Sequence, residues 1–291
     1  MDRRLFAKSG LALISGLGLS SQTEAMAARP SYDPRSKWVF KDWDGPALTI
    51  HALEPEVVTP KSPIVIAMHG LKRNPASYRE AWIDAVKKDG FRVYHPEFDE
   101  ARFPKAISYN LGNIGRNGPS SFNAIEPLFD AIKTKNPSNH QTYSLFGHSA
   151  GAQFVNRFAL LKPEARTHFH VCANAGWYTV PDFETSWPYG LGNMAQAGID
   201  LKSSFAKKTV IALGTKDNDP NHESLNKDPQ SMTQGPHRYS RGLYFFDQSK
   251  TIAKAAGFDF SWEQLNVPGI DHDNTGMVNA VVRAYRTNFN G

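Results

Sequence analysis

Apolar residues along this chain recur in two alternating rhythms, short continuous runs and longer stretches with helical spacing. Ile64-Val65-Ile66-Ala67-Met68 is a β-branched run of the kind found in strands covered on both faces. Residues 75–88 then follow with the period of an amphipathic helix. The alternation continues with strands over residues 91–95, 142–146, 168–174, 209–213 and 259–267. Helices are expected over residues 122–133, 150–161, 241–256 and 277–289. Repeated βα units imply a mostly parallel sheet with helices on both faces, an α/β fold. Ahead of them, residues 37–42 and 47–53 read as two short strands joined by a turn at Asp44-Gly45-Pro46, suited to an antiparallel edge. Two stretches break the rhythm. Residues 176–203 hold Trp177, Tyr178, Trp187 and Tyr189, and residues 217–239 are polar and irregular, and loops of that length are usually functional or mobile.

The first residues follow a different plan. Arg3, Arg4, Phe6 and Lys8 precede a weakly apolar stretch from Leu11 to Leu19 and then Ala25-Met26-Ala27, the layout of an export signal cleaved after a small residue. The arginine pair with Phe6 and Lys8 resembles the bacterial twin-arginine signal, with Asp2 where that signal more often has Ser or Thr. The expected organisation is a twin-arginine-type leader over residues 1–27 and one domain over residues 28–291, placed in the periplasm or secreted. The apolar stretch is about half the roughly 20 residues needed to span a bilayer, so no stable membrane anchor is expected.

Length and composition agree with one large core: 291 residues, 40% hydrophobic and 12% aromatic. The formal net charge is +5, with three basic and two acidic side chains in the leader, and no Lys/Arg block is interleaved with aromatics as in nucleic-acid binders. No nucleic-acid partner is therefore expected, and the charge reads mainly as solubility. The single cysteine, Cys172, sits in an apolar run and reads as packing.

Gly147-His148-Ser149-Ala150-Gly151 falls between the run at Tyr143, Leu145 and Phe146 and the helical pattern at Phe154, Val155 and Phe158. A strand, a sharp turn and a helix with serine at the tip present that hydroxyl as a nucleophile. A bare match arises by chance in roughly one in ten chains of this length, so its context carries the argument. A serine hydroxyl at neutral pH needs an imidazole base and a carboxylate that fixes the imidazole tautomer. Residues 209–213 end in Gly214-Thr215-Lys216-Asp217, and the last strand is followed by Gly269-Ile270-Asp271-His272. Both loops leave the C-terminal ends of parallel strands, where catalytic groups collect in open α/β sheets. Asp219 competes with Asp217 as the acid. Ala150 N–H, at a helix N-terminus, is a candidate oxyanion donor.

The order Ser149, Asp217, His272 resembles that of the α/β-hydrolases, and over nearly all of the mature chain the sequence is most similar to exported bacterial esterases of the polyhydroxybutyrate-depolymerase-like group. The resemblance implies the α/β-hydrolase fold, favours Asp217 over Asp219, and makes Leu71 N–H, in the loop His69-Gly70-Leu71, the second oxyanion donor. It implies ester cleavage through an acyl-enzyme with no cofactor. Many secreted depolymerases carry disulfides and a separate polymer-binding domain; one cysteine and no room for that domain point away from a solid polyester.

His69 and His148 flank the oxyanion loop and the nucleophile and are expected to shape the pocket wall. Trp177 and Tyr178 follow the strand beside the nucleophile strand and either line the acyl pocket or cap the core. Lys72 and Arg73 read as a solvated pair, or as a lure for a carboxylated substrate. Asp217, Asp219, Asp271, His272 and Asp273 lack the spacing of zinc or calcium motifs, so no metal is expected. The alternatives to an esterase are an amidase, including one for an anionic polyamide of the poly-aspartate type, and a non-catalytic binding protein on the same fold. The spacing does not specify an oligomeric state.

Overall fold

The strand β3, Ile64–Met68, has all five residues buried. Ile64, Ile66 and Met68 join one apolar core while Val65 and Ala67 join a second. Successive side chains of a strand point to opposite faces, so this continuous run needs cover on both sides. The computed structural model describes residues 32–194 and 198–288. The expected leader, residues 1–27, lies outside them.

Eight strands form one sheet. β1 (Arg35–Phe40), β2 (Leu48–Leu53), β3, β4 (Arg92–Glu97), β5 (Tyr143–His148), β6 (Thr167–Ala173), β7 (Thr209–Gly214) and β8 (Trp262–Val267) lie in the order β1-β2-β4-β3-β5-β6-β7-β8. β1 with β2 and β2 with β4 pair antiparallel, and every other pair is parallel. The two early strands thus supply the antiparallel edge that their alternation predicts.

Helices α4 (Ile125–Lys135), α5 (Ala150–Leu161) and α8 (Arg238–Ala256) cover one face through Leu128, Phe129, Phe154, Phe158 and Phe245. On the other face lie α2 (Ile83–Asp89) and α9 (Asn274–Asn288), through Ala85, Val86, Met277, Val278 and Val281. The helix expected over residues 75–88 is in fact two, α1 (Pro75–Glu80) and α2, separated where the Trp82 ring turns inward edge-on to Phe146 at 5.1 Å. Three short helices without a readable period were missed: α3 (Lys105–Ser108), α6 (Leu201–Ala206) and α7 (Pro229–Thr233). Among the described residues no helix is long and apolar enough to cross a membrane. Cys172 is buried and unpaired, as its apolar neighbours suggest.

Several imidazoles are sealed in this core. Burial pushes His69, His95 and His170 down to about 3 from an ordinary value near 6.5. A folded value below the unfolded one means that the unfolded chain binds more protons between these limits. Their contribution is therefore complete above about pH 6.5 and is lost as pH falls toward 3. At pH 5 linkage gives a loss of about 2 kcal/mol per residue, which for three together is comparable with the whole stability of a domain. Thermal unfolding followed from pH 7.5 to 4.5 is expected to show a midpoint that falls steeply below pH 6; a flat midpoint across that range would contradict it.

Candidate active site

The turn at Ser149 is a backbone fact before it is a chemical one. Ser149 sits at φ 58° and ψ −119°, between the end of β5 and the first turn of α5. A non-glycine residue there costs about 1–3 kcal/mol and persists only where its surroundings hold it. The Ser149 N–H donates to Ala173 O at 3.0 Å, anchoring the turn to β6. A Cβ at Gly147 would overlap the Gly151 carbonyl, and one at Gly151 would overlap the Met68 carbonyl oxygen. Both glycines are required because helix and strand approach so closely.

Asp217, His272 and Ser149 stand in one hydrogen-bonded line. His272 Nδ1–H donates to Asp217 Oδ2 at 2.7 Å, and Ser149 Oγ–H donates to His272 Nε2 at 3.0 Å. A carboxylate only accepts, so it fixes the imidazole proton on Nδ1 and leaves Nε2 free to accept from the serine. Asp219 stands apart, with Oδ1 accepting from the Asn221 N–H at 2.8 Å. Geometry therefore selects Asp217 over its rival. Asp271 contributes its backbone carbonyl to the site, and Asp273 accepts from the N–H groups of Thr275 and Gly276 at the start of α9.

Two residues that the sequence did not single out hold this line. Asn174, at φ 48° just past β6, accepts from Gly214 N–H at 2.8 Å and donates to Asp271 O at 2.8 Å. One amide thus spans the loop carrying Asp217 and the loop carrying His272, and asparagine is the side chain that best tolerates this left-handed backbone. Arg238, in the first turn of α8, donates from Nη1 to Asp217 Oδ1 at 3.1 Å and from Nη2 to Ser224 Oγ at 2.9 Å. Arg238 and Asp217 are 2% and 4% exposed, so the ion pair is out of water.

The loop His69-Gly70-Leu71 is braced from below. The His69 Nδ1–H donates to Gly70 O at 3.1 Å and its Nε2 accepts from the Phe98 N–H at 3.1 Å. The ring also stacks on Tyr109, whose hydroxyl donates to His69 O at 2.7 Å. Fully buried, His69 supports this loop instead of forming a pocket wall. Arg73 corrects the solvated-pair reading. It lies over the Tyr109 ring at 4.3 Å and donates to Phe98 O and Lys105 O, so only Lys72 of the pair is exposed. Neither Leu71 N–H nor Ala150 N–H has a protein acceptor among the described residues.

Tyr178 is a core residue with no exposed surface, stacked on Phe245 at 4.4 Å and 10°, so of its two readings core packing describes it. Trp177 is 7% exposed, held between the Arg157 guanidinium at 4.3 Å and Tyr189 at 4.3 Å. His148 is buried with its ring 4.7 Å from that of His272, and burial pushes its pKa well below the ordinary histidine value. His222, from the long loop after β7, meets His272 edge-on at 5.6 Å. A polar loop with no period gave no sign of that contact.

A sheet of this order, with Ser149 at the sharp turn after β5, Asp217 after β7 and His272 after β8, has the arrangement of an α/β-hydrolase. The comparisons agree, and the chain belongs to that superfamily, in the group that includes polyhydroxybutyrate-depolymerase-like proteins. It is similar to the poly(aspartic acid) hydrolase-1 of Sphingomonas sp. KT-1, with 39% identity and a TM-score of 0.82 over 86% of this chain and 97% of that one. It is also similar to LpqC, a poly(3-hydroxybutyrate) depolymerase from Bordetella parapertussis, with 30% identity and a TM-score of 0.80 over 86% and 88% of the two chains. The siderophore hydrolase EstB of Aspergillus nidulans shares the fold at 14% identity and a TM-score of 0.53, over 90% and 96%. No protein-family model and no curated protein matches the chain. The protein is a hydrolase.

Proposed function

We propose that the protein is an exported serine hydrolase that cleaves carboxylic esters through an acyl-enzyme. The observation that carries this reading is the line Asp217–His272–Ser149, at 2.7 and 3.0 Å. Ser149 Oγ attacks the ester carbonyl carbon while its proton passes to His272 Nε2. The oxyanion faces Leu71 N–H and Ala150 N–H, each worth about 3–4 kcal/mol in the transition state. Collapse of the intermediate breaks the bond to the alcohol, which leaves with the proton from Nε2. Water then repeats the sequence on the acyl-enzyme and releases the acid. Asp217 stays ionised throughout, holding the tautomer and stabilising the imidazolium. Arg3, Arg4 and the Ala25-Met26-Ala27 site support a reaction outside the cytoplasm.

A second reading is amide cleavage in an anionic polyamide. It is favoured by the 39% identity with a poly(aspartic acid) hydrolase and by the exposed Lys72 beside Leu71. Amides differ from esters in needing the leaving nitrogen protonated by His272, which the same triad can supply.

Phenylmethylsulfonyl fluoride is expected to modify Ser149 and to abolish turnover, with the modified peptide identified by mass spectrometry. In the same assay Ser149→Ala is expected to lose about four or more orders of magnitude in kcat. Full activity in that variant would end the proposal. A panel of short-chain esters, dipeptides and poly-aspartate separates the two readings by which bond turns over.

A further inference from the structure

Tyr78, on α1, places its hydroxyl at the seam between the oxyanion loop and the elbow. Two contacts locate the oxygen. A Cβ at Gly70 would overlap Tyr78 Oη, and Oη lies 3.1 Å from His148 Nδ1. Gly70 immediately precedes Leu71, and His148 immediately precedes Ser149. The two backbones also meet each other, since a Cβ at Gly151 would crowd the carbonyl oxygens of Met68 and His69. A phenolic hydroxyl is thus lodged one residue away from both the nucleophile and a backbone donor of the oxyanion site.

The hydrogen-bond inventory decides what that hydroxyl can do. His148 Nε2 is buried and has no hydrogen-bond partner among the described residues. A buried orphan N–H is rarer and costlier than a buried orphan lone pair, so the neutral ring carries its proton on Nδ1. His148 then donates to Tyr78 Oη, and the phenol's own proton is not used on the histidine. Burial raises the Tyr78 hydroxyl to about 12, so it remains a donor at neutral pH.

We propose that the Tyr78 hydroxyl is a third hydrogen-bond donor to the oxyanion, oriented by the His148 imidazole. The inference rests on the acyl-enzyme reading of Ser149. No proton is transferred by Tyr78; its hydrogen bond strengthens as charge builds on the carbonyl oxygen, so it acts on the transition state and hardly on the bound ester. His148 is a positioning residue in this arrangement. It aims the hydroxyl and does not touch substrate.

Tyr78→Phe keeps the ring and removes only the oxygen. With p-nitrophenyl butyrate, kcat is expected to fall about 10²–10³-fold, with KM changed less than about twofold. Affinity for phenylboronic acid, whose serine adduct is tetrahedral and anionic, should weaken in parallel. His148→Asn, which keeps an N–H near the position of Nδ1, should retain far more kcat than His148→Leu. The Ser149→Ala variant measured alongside separates the two levels: activity there removes the acyl-enzyme reading itself. With Ser149→Ala dead, wild-type kcat in Tyr78→Phe overturns the inference. So does a fall in kcat with boronate affinity intact, because the hydroxyl would then only prop the loop.

Discussion

Asp217→Asn is expected to lower kcat by about four orders of magnitude, about 5.5 kcal/mol of transition-state stabilisation, measured on the folded fraction, since the buried Arg238 guanidinium loses its counter-charge and stability falls as well. An asparagine at this position can offer its amide N–H to His272 Nδ1, driving the imidazole proton to Nε2, where it blocks acceptance from Ser149. It also removes the negative charge that stabilises the imidazolium. Asp219→Asn, two residues further on, is the internal control. Its carboxylate bonds the Asn221 N–H and not the imidazole, so kcat there should stay within a factor of about two. Steady-state kinetics on one ester with both variants settles the assignment; comparable losses at the two positions would show that the acid has been misassigned.

The second large effect falls on stability. Arg238→Leu should destabilise the fold by about 3–5 kcal/mol, because removing one partner of a buried ion pair leaves the other charge out of water and uncompensated. The contrast is the exposed pair Arg35–Glu80. It is shorter, at 2.6 Å, yet contributes little because solvent screens it and two long side chains must be ordered. Burial, not distance, decides which pair matters. Arg238→Leu also frees the Asp217 carboxylate to swing from His272 and releases Ser224, so kcat should fall together with the denaturation midpoint. Urea unfolding of the two variants, Arg238→Leu and Arg35→Ala, measures the difference; an unchanged midpoint in the first would contradict the account.

The parts of this fold legible in the sequence are those whose cause is local. β3 and α5 occupy the expected residues because a β-branched run bounded by His-Gly, and a helical pattern beginning at the elbow, each define their own ends. The loops carrying Asp217 and His272 are likewise readable as strand ends. What escaped depends mostly on residues distant in the chain, the start of α8 being a local exception. α8 begins three residues earlier than its apolar period suggests because the His237 side chain accepts from Ser240 N–H and Ser240 Oγ accepts in return, a cap made by a residue type not usually found there. Arg73 reads as solvated until Tyr109, Phe98 and Lys105 fold around it. Tyr178 suits both pocket and core in the sequence because its ring carries a polar tip, and only Phe245 on α8 decides. Arg238 follows the same logic, since nothing near it marks an arginine that will be buried against a carboxylate 21 residues earlier.

Arg241, one helical turn beyond Arg238, is fully buried and gives all its polar nitrogens to carbonyls, donating to Gly235 O, Gly176 O and Asn226 O. Those oxygens belong to the two long segments that follow β6 and β7. The guanidinium is therefore a shared fastener, and neither segment can shift without loosening the other's grip on it. For anyone transplanting substrate preference from a relative, the unit of exchange is the pair of segments with this arginine. One loop moved alone would arrive with its knot untied.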